Sequence, residues 1–265
     1  MRRWPKASAA LAATALSILI AAGCGGGGGG DDDLLPKTVG GAPVSWNVPE
    51  NHPAGLVILL HGGGWRASDS GYEQQQRNAE VIQDHGYATV AVDYAQGAEG
   101  YQQLVEVFKE ARRRYPGLPV CAVGISAGGN MALTLATQEP DLHCVIALSA
   151  PTDLTTIAQQ DPDADEAHKA AVENLGTNLF AKFSPALRAD RIRAKVLLIA
   201  AANDPVVPAE QSRELARALP GAQLLELPAG PEPAEFAHFG GVQPGAQDTV
   251  IDREFDFLKQ ATQGA

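Results

Sequence analysis

The segment from Val120 to Met131 constrains the fold of this chain more than any other. It begins as a short apolar strand, passes through Gly124-Ile125-Ser126-Ala127-Gly128, and continues into residues that favour a helix. A sharp turn from strand to helix holds a serine hydroxyl clear of the backbone, and its flanking glycines avoid clashes with the neighbouring strand and helix. Because a base can reach a hydroxyl placed in this way, Ser126 is the candidate nucleophile.

Short apolar runs alternate with helical patterns along most of the chain. Leu56–Leu60 has no polar residue, which is typical of a strand buried on both faces. The alternation predicts an α/β fold with a doubly wound, mostly parallel sheet and helices on both faces. The predicted strands are 56–60, 87–92, 119–123, 143–148, 195–200 and 223–227. The predicted helices are 71–85, 100–115, 130–136, 209–219 and 248–262.

Residues 37–265 are sufficient for a single α/β domain with a sizeable core. Within this domain the periodic pattern weakens at about residues 153–193, which contain polar, proline-containing and short helical pieces. We interpret this stretch as a small cap insertion over the site. In an open parallel sheet the active groups gather at the carboxyl ends of the strands, so the cap should lie at that edge.

A glycine-rich loop follows the first buried strand. Its sequence is His61-Gly62-Gly63-Gly64-Trp65. Successive glycines leave backbone N–H groups unshielded and allow unusual φ and ψ angles, as the donors that stabilise a tetrahedral oxyanion require. We expect His61 to brace this loop rather than to take part in the chemistry.

An acid and a base follow the candidate nucleophile in the order that a catalytic triad of this kind requires. Asp204 comes just after a predicted strand, and His238 is the only histidine beyond it. An aspartate in that position would hold the tautomer of the histidine. Asp153 also follows a predicted strand, and we interpret it as a helix N-cap because a better-placed acid follows.

The N-terminus has the pattern of an export signal. Residues 1–23 combine a basic head with an apolar run that is too short to span a bilayer, and residues 24–36 form a glycine- and aspartate-rich tether. Ala21-Ala22-Gly23-Cys24 resembles the bacterial lipobox, which implies lipidation at Cys24 and a membrane-anchored lipoprotein facing the periplasm or the cell exterior. Plain secretion by signal cleavage is the alternative.

The charge of the chain limits its partners. The formal net charge is −11, and it becomes −14 when the three basic residues of the leader are removed. An acidic domain is repelled by nucleic acid and by anionic lipid, so no nucleic-acid partner is expected and membrane attachment would depend on the acyl anchor. No cofactor and no metal ion are expected.

Two cysteines remain beside Cys24. Cys121 and Cys144 lie near the starts of predicted neighbouring strands, so a disulfide is possible in an oxidising compartment. Two buried free thiols that fill core space are the alternative.

Taken together, the motifs resemble those of the α/β-hydrolase superfamily, in particular its hormone-sensitive-lipase-like and acetylxylan/feruloyl-esterase-like branches. The resemblance rests on His61–Trp65, Gly124–Gly129, Asp204–Pro208 and His238. It implies an oxyanion hole formed by the N–H groups of Gly63, Gly64 and Ala127. The chain departs from the first branch at Ala95, where that branch has the arginine of an Asp-Tyr-Arg motif.

The expected activity is hydrolysis of a small-molecule carboxylic ester through a Ser-His-Asp triad and a covalent acyl-enzyme. A small cap and few aromatic residues favour short-chain or small soluble esters. The alternatives are amide hydrolysis by the same triad, as in a peptidase or formamidase, and an inactive tethered binding protein. The short segment between Lys37 and His52 leaves room for a hairpin or a single strand ahead of the first buried strand.

Overall fold

The computed structural model describes residues 35–67, 69–157, 165–228 and 246–263. These residues form one eight-stranded sheet in the order β1-β2-β4-β3-β5-β6-β7-β8. The strands are β1 (Thr38–Val39), β2 (Ala42–Asn47), β3 (Leu56–Leu60), β4 (Ala88–Val92), β5 (Val120–Ile125), β6 (Cys144–Leu148), β7 (Lys195–Ala201) and β8 (Gln223–Leu227). The helices are α1 (Asp69–Asp84), α2 (Ala98–Arg114), α3 (Ala127–Ala136), α4 (Asp165–Asn174), α5 (Ala209–Ala218) and α6 (Ala246–Thr262).

The sheet is parallel from β4 to β8 and antiparallel at one edge. β1 pairs antiparallel with β2, and β2 pairs antiparallel with β4. The segment ahead of β3 is therefore a hairpin, which turns through Gly40 and Gly41 with φ of 59° and 91°. The predicted fold class is confirmed, and each of the six predicted strands is present with small shifts at its ends.

Both faces of the sheet are buried, as the apolar run of β3 predicted. Ile58 packs with residues of α2, α3 and α5, whereas its neighbours Val57 and Leu59 pack on the opposite face with residues of α1 and α6. Each fully buried aliphatic side chain of this kind stabilises the fold by about 1.5–3 kcal/mol relative to its exposed state. The helices therefore cover the two faces and leave the carboxyl edge of the strands for the site.

The segment between β6 and β7 contains α4 and two short 3₁₀ segments, Thr177–Leu179 and Pro185–Arg191. These three helical pieces lie within residues 153–193, the stretch predicted to be a cap. Among the described residues, no helix has both the length and the apolar character needed to cross a membrane.

Cys121 and Cys144 are bonded to each other. They are direct partners in the register of β5 and β6, with their Cα atoms 4.6 Å apart. Both residues are buried, so the disulfide ties together the amino-terminal ends of two central strands.

Candidate active site

Ser126 occupies the turn between β5 and α3. Its φ of 53° and ψ of −121° lie outside the regions that residues with a side chain usually adopt. Two backbone hydrogen bonds hold the turn. The Ser126 N–H donates to the Leu148 carbonyl at 2.8 Å, and the Ser126 carbonyl accepts from the Asn130 N–H at 3.0 Å. This backbone leaves the serine half-buried at the carboxyl edge of the sheet. Strain that the surrounding structure maintains in this way is typical of functional sites.

Two glycines of the motif are required by close backbone contacts. A β-carbon on Gly124 would stand 2.4 Å from the carbonyl of Gly128. One on Gly128 would stand 2.3 Å from the carbonyl oxygen of His61 and 2.5 Å from that of Leu60. These contacts confirm the reason for which glycine was expected on either side of the turn.

The loop 61–65 lies beside the serine. A β-carbon on Gly62 would stand 3.5 Å from the Ser126 Cβ, so the backbone of Gly62 lies close to the serine. Sequence reasoning passed over Gly62 in favour of Gly63 and Gly64. Those two residues have φ of 105° and 67°, and Trp65 has φ of 60°. The loop therefore needs the conformational freedom that its glycines supply.

Every carbonyl of this loop is held by a donor from elsewhere in the protein. Tyr94 Oη donates to the carbonyls of His61 (2.7 Å) and Gly62 (3.2 Å), Arg66 Nε to Gly63 (3.3 Å), Asn174 Nδ2 to Gly64 (2.8 Å) and the Gly97 N–H to Trp65 (3.0 Å). Within the described ranges, no residue accepts a hydrogen bond from the amides of Gly62, Gly63 or Gly64. A loop with its carbonyls bound and its amides available is suited to bind an anion.

His61 braces the loop, as expected. Its ring is buried, stacks on Tyr94 with 4.0 Å between ring centroids, and donates from Nδ1 to the Gly62 carbonyl at 2.6 Å. The Asp93 carboxylate lies 3.5 Å from Nε2. Burial lowers the pKa of His61, while the Gly62 carbonyl and the Asp93 carboxylate act in the opposite direction. Asp93 and Tyr94 form the retained part of the Asp-Tyr-Arg motif, so the motif supports the loop even though Ala95 replaces its arginine.

Asp204 lies in the turn after β7 and is almost fully buried, with 5% of its surface exposed. Its Oδ1 accepts hydrogen bonds from the N–H groups of Val206 at 2.8 Å and Val207 at 3.0 Å. These two bonds orient the carboxylate at the same edge of the sheet as Ser126, since both residues follow parallel strands.

Asp153 has a local role. Its Oδ1 accepts from the N–H of Thr155 at 2.8 Å and from the hydroxyl of the same residue at 2.6 Å. This bonding to the residue two positions ahead is that of an Asx turn, and the role of Asp153 as a helix N-cap stays a prediction.

Several sequence-based candidates lie outside the described residues. His238 is one, and the base of the triad therefore stays a prediction. Cys24 and the rest of the N-terminal region are others.

A buried hydrogen-bond network around Asn130 was missed by sequence reasoning. Asn130 Oδ1 accepts from the Tyr101 hydroxyl at 2.5 Å and from Trp65 Nε1 at 3.4 Å. Its Nδ2 donates to the carbonyls of Pro151 at 2.8 Å and Phe183 at 2.9 Å. The one signal for it was a single amide side chain in an otherwise small and apolar helical run. The network joins α3 to the loop 61–65, to α2 and to the segment between β6 and β7.

The fold and the site define a serine hydrolase of the α/β-hydrolase superfamily. Residues 89–265 match the Prolyl oligopeptidase family, and the chain belongs to that family. The superfamily resemblance is therefore confirmed, while the two esterase branches stay predictions.

Comparison with individual proteins gives both peptidases and esterases. The chain is 25% identical over 195 residues to dipeptidyl aminopeptidase BIII of Pseudoxanthomonas mexicana. The matched region covers 63% of this chain and only 28% of that relative. The acetyl ester-xyloside bifunctional hydrolase of Caldicellulosiruptor lactoaceticus superimposes with a TM-score of 0.65 at 15% identity, over 82% of this chain and 88% of the other. A puromycin-hydrolyzing peptidase of Mycobacterium tuberculosis has a TM-score of 0.65 at 19% identity, over 84% of this chain and 37% of the other. These structures share the fold.

Proposed function

We propose that the protein is an exported esterase that hydrolyses short-chain or small soluble carboxylic esters through a covalent acyl-enzyme. The observation that carries the proposal is the position of Ser126, on a strained turn beside a loop whose carbonyls are all bound and whose glycine amides have no acceptor among the described residues. This combination of a presented hydroxyl and an anion-binding loop suits acyl transfer better than any other reaction.

The proposed reaction has two stages. In the first, His238 takes the proton of the Ser126 hydroxyl as its oxygen attacks the ester carbonyl carbon, and then gives that proton to the departing alcohol. In the second, His238 removes a proton from water, which attacks the acyl-enzyme, and then returns that proton to the Ser126 oxygen as the acid is released. Asp204 orients His238 and stabilises its charged form.

The developing oxyanion would be bound by the backbone N–H groups of Gly63, Gly64 and Ala127. Gly62 is a further candidate because its backbone lies close to Ser126 and its amide has no acceptor in the described structure. Loss of one such donor in related chemistry costs roughly 10²–10³ in rate. No cofactor takes part in the proposed reaction.

The preference for small substrates is supported by the packing of α4 on the loop. A β-carbon on Gly64 would stand 2.9 Å from the Ala170 Cβ, so this helix lies directly on the loop. Less than one turn nearer its start, Ala167 packs with Val207 of the segment that holds Asp204. A helix that touches both loops restricts the space for a bulky acyl group.

Amide hydrolysis is the second candidate, and membership of the Prolyl oligopeptidase family favours it. The relative from Pseudoxanthomonas mexicana is named as an aminopeptidase, although this chain covers only 28% of its length. The same triad cleaves both bond types. Rates with a p-nitrophenyl ester and a p-nitroanilide that share one acyl group would distinguish the two, and a higher kcat/KM for the anilide would favour the amide.

The central test measures hydrolysis of p-nitrophenyl acetate and butyrate, with labelling by a fluorophosphonate probe. Ser126→Ala should abolish both turnover and labelling. Ser149→Ala is the matched control, because Ser149 is also at a strand end with a positive φ of 47° but is buried. Full turnover by Ser126→Ala would refute the assignment, and a wild-type protein without turnover or labelling would favour an inactive binding protein.

We further propose that the protein is exported and anchored through a lipid on Cys24, with residues 24–36 as a tether and 37–265 as the catalytic domain. The Cys121–Cys144 disulfide supports an oxidising compartment, since such bonds are rare in the cytosol. Expression of the full chain with Cys24→Ser should move the protein from the membrane fraction to the soluble fraction. Mass spectrometry of the membrane-bound form should find the lipid on Cys24, and its absence would leave plain secretion.

A further inference from the structure

We propose that Asn174, at the end of α4, is a positioning residue that sets the orientation of the oxyanion-binding loop. The inference rests on the proposed function and extends it to a residue in the cap region. Asn174 lies 110 positions from Gly64 in sequence, yet its Nδ2 donates to the Gly64 carbonyl at 2.8 Å. It acts through the loop and does not itself need to touch the substrate.

The side chain of Asn174 is held from its other side. Its Oδ1 accepts a hydrogen bond from Gln96 Nε2 at 2.8 Å. The backbone carbonyl of Asn174 also lies against Gly97, where a β-carbon would stand 2.6 Å from it. Because the amide group is bonded at both ends, it presents its N–H to the loop in one orientation. It thereby connects the loop after β4 to the loop after β3.

The consequence for the loop follows from peptide geometry. In a trans peptide the carbonyl and the next N–H point in opposite directions, so fixing the Gly64 carbonyl also fixes the Trp65 N–H. The preceding peptide is fixed by the bond from Arg66 Nε to the Gly63 carbonyl, which is longer at 3.3 Å and exposed. Gly64 stands between these two peptides with a φ of 67°, a conformation that glycine leaves easily when nothing holds it.

The Asn174 bond is therefore the shorter and less exposed of the two bonds that fix the peptides on either side of Gly64. Ala170 adds a steric restraint from the same helix, because it leaves no room for a β-carbon at Gly64. Preorganised donors stabilise a transition state because they need no reorientation during the reaction. A loop released from Asn174 would have to be ordered at each turnover, which raises the barrier to chemistry with little effect on substrate binding.

The test compares variants that keep the size of the side chain and remove its donor. Asn174→Asp and Asn174→Leu should both lower kcat by about tenfold or more, with KM changed by less than about twofold. Affinity for a boronic acid, which forms a tetrahedral adduct with the serine, should fall by the same factor as kcat/KM. Agreement between the charged and the apolar variant would show that the lost donor, and not the added charge, causes the effect.

Glu173→Gln is the matched control, because Glu173 precedes Asn174 on α4, is exposed and is not one of the donors to the loop. It should retain kcat to within about threefold. Unfolding midpoints of all variants separate a loss of folded protein from a loss of activity. The inference is overturned if the Asn174 variants keep wild-type kcat, or if kcat falls without a parallel loss of boronate affinity.

Wild type and Ser126→Ala are measured beside these variants. If the inference alone fails, turnover is lost in Ser126→Ala and stays at the wild-type rate in the Asn174 variants. If wild type has no turnover that depends on Ser126, the proposed function fails and the inference fails with it.

Discussion

The carbonyl oxygen of His61 lies against the backbone of Gly128, so close that a β-carbon on Gly128 would stand 2.3 Å from it. The loop after β3 and the first turn of α3 are thus in backbone contact. Neither can move without the other, and this contact sets the distance between the candidate nucleophile and the loop beside it.

Gly128→Ala should therefore disrupt the site and the fold together. The added methyl group meets backbone atoms that cannot rotate away, so we expect a destabilisation of about 3 kcal/mol or more and loss of esterase activity. Thermal unfolding and p-nitrophenyl acetate hydrolysis measure the two effects. Gly221→Ala is the control, since its φ is 95° but no atom lies within 4 Å of the added carbon. It should cost only about 1–2 kcal/mol of backbone strain and leave kcat unchanged.

Asp204→Asn should leave the fold intact and remove most of the activity. The amide oxygen of asparagine can still accept the bonds from the Val206 and Val207 amides. It cannot stabilise a charged histidine, so kcat should fall by roughly 10³–10⁴. Asp153→Asn, at another aspartate that follows a strand, should change kcat little and stability by about 1 kcal/mol. A larger loss of kcat in Asp153→Asn than in Asp204→Asn would reverse the assignment of the acid.

Asn130→Leu should be among the most destabilising substitutions of its size. It leaves the Pro151 and Phe183 carbonyls and the Tyr101 hydroxyl without the partner they have now, which costs about 2–4 kcal/mol in total. Urea unfolding measures the loss. Asn78→Leu is the control, because Asn78 is also buried but bonds only to Gln74 and Gln75 of its own helix in the contacts described here. Equal losses in the two variants would contradict a linking role for Asn130.

The disulfide should contribute about 3 kcal/mol to stability, given its sequence separation of 23 residues. The double variant Cys121→Ala/Cys144→Ala measures that contribution by denaturant unfolding. Thiol titration of the denatured domain, produced from residue 34 onward, should find no free thiol before reduction and two after it. Two free thiols in the unreduced protein would show that the cysteines only fill space in the core.

Glu110 on α2 provides a test of pH dependence. Hydrogen bonds from Arg113 and then Arg114, with the charges of both, lower the pKa of Glu110 to about 2. A lowered pKa in the folded state adds stability that is present above the unfolded pKa of about 4.5 and is lost as the pH falls towards 2. Because the pair is near the surface, Glu110→Gln should cost only about 1 kcal/mol at pH 7 and nothing near pH 2. If the stability difference between wild type and Glu110→Gln does not change with pH, the ion pairs are not its cause.

Much of the architecture could be predicted from local sequence patterns. A short, unbroken apolar run such as Leu56–Leu60 is typical of a strand buried on both faces, and β3 is such a strand. The glycines at 124 and 128 were assigned to close packing, which the backbone distances at both positions confirm. Local patterns suffice here because strand burial and tight turns depend on residues adjacent in sequence.

Other features could not be predicted, because they depend on which residues meet across the sheet. Two cysteines near strand ends left bonded and free thiols as alternatives, and only the register of β5 and β6 made them direct partners. The amide groups of Asn130 and Asn174 have no local signature that names their partners. Asn130 bonds to a carbonyl 53 positions away and Asn174 to one 110 positions away.

The sequence by itself thus determined the order of elements, the strained serine turn and the glycine loop, since these follow from short-range sterics and hydrophobic periodicity. The tertiary structure decided which side chains hold that loop in place and how close the loop lies to the serine. Hydrogen bonds between distant segments form only after the sheet has brought the segments together, so their partners follow from topology and not from neighbouring residues.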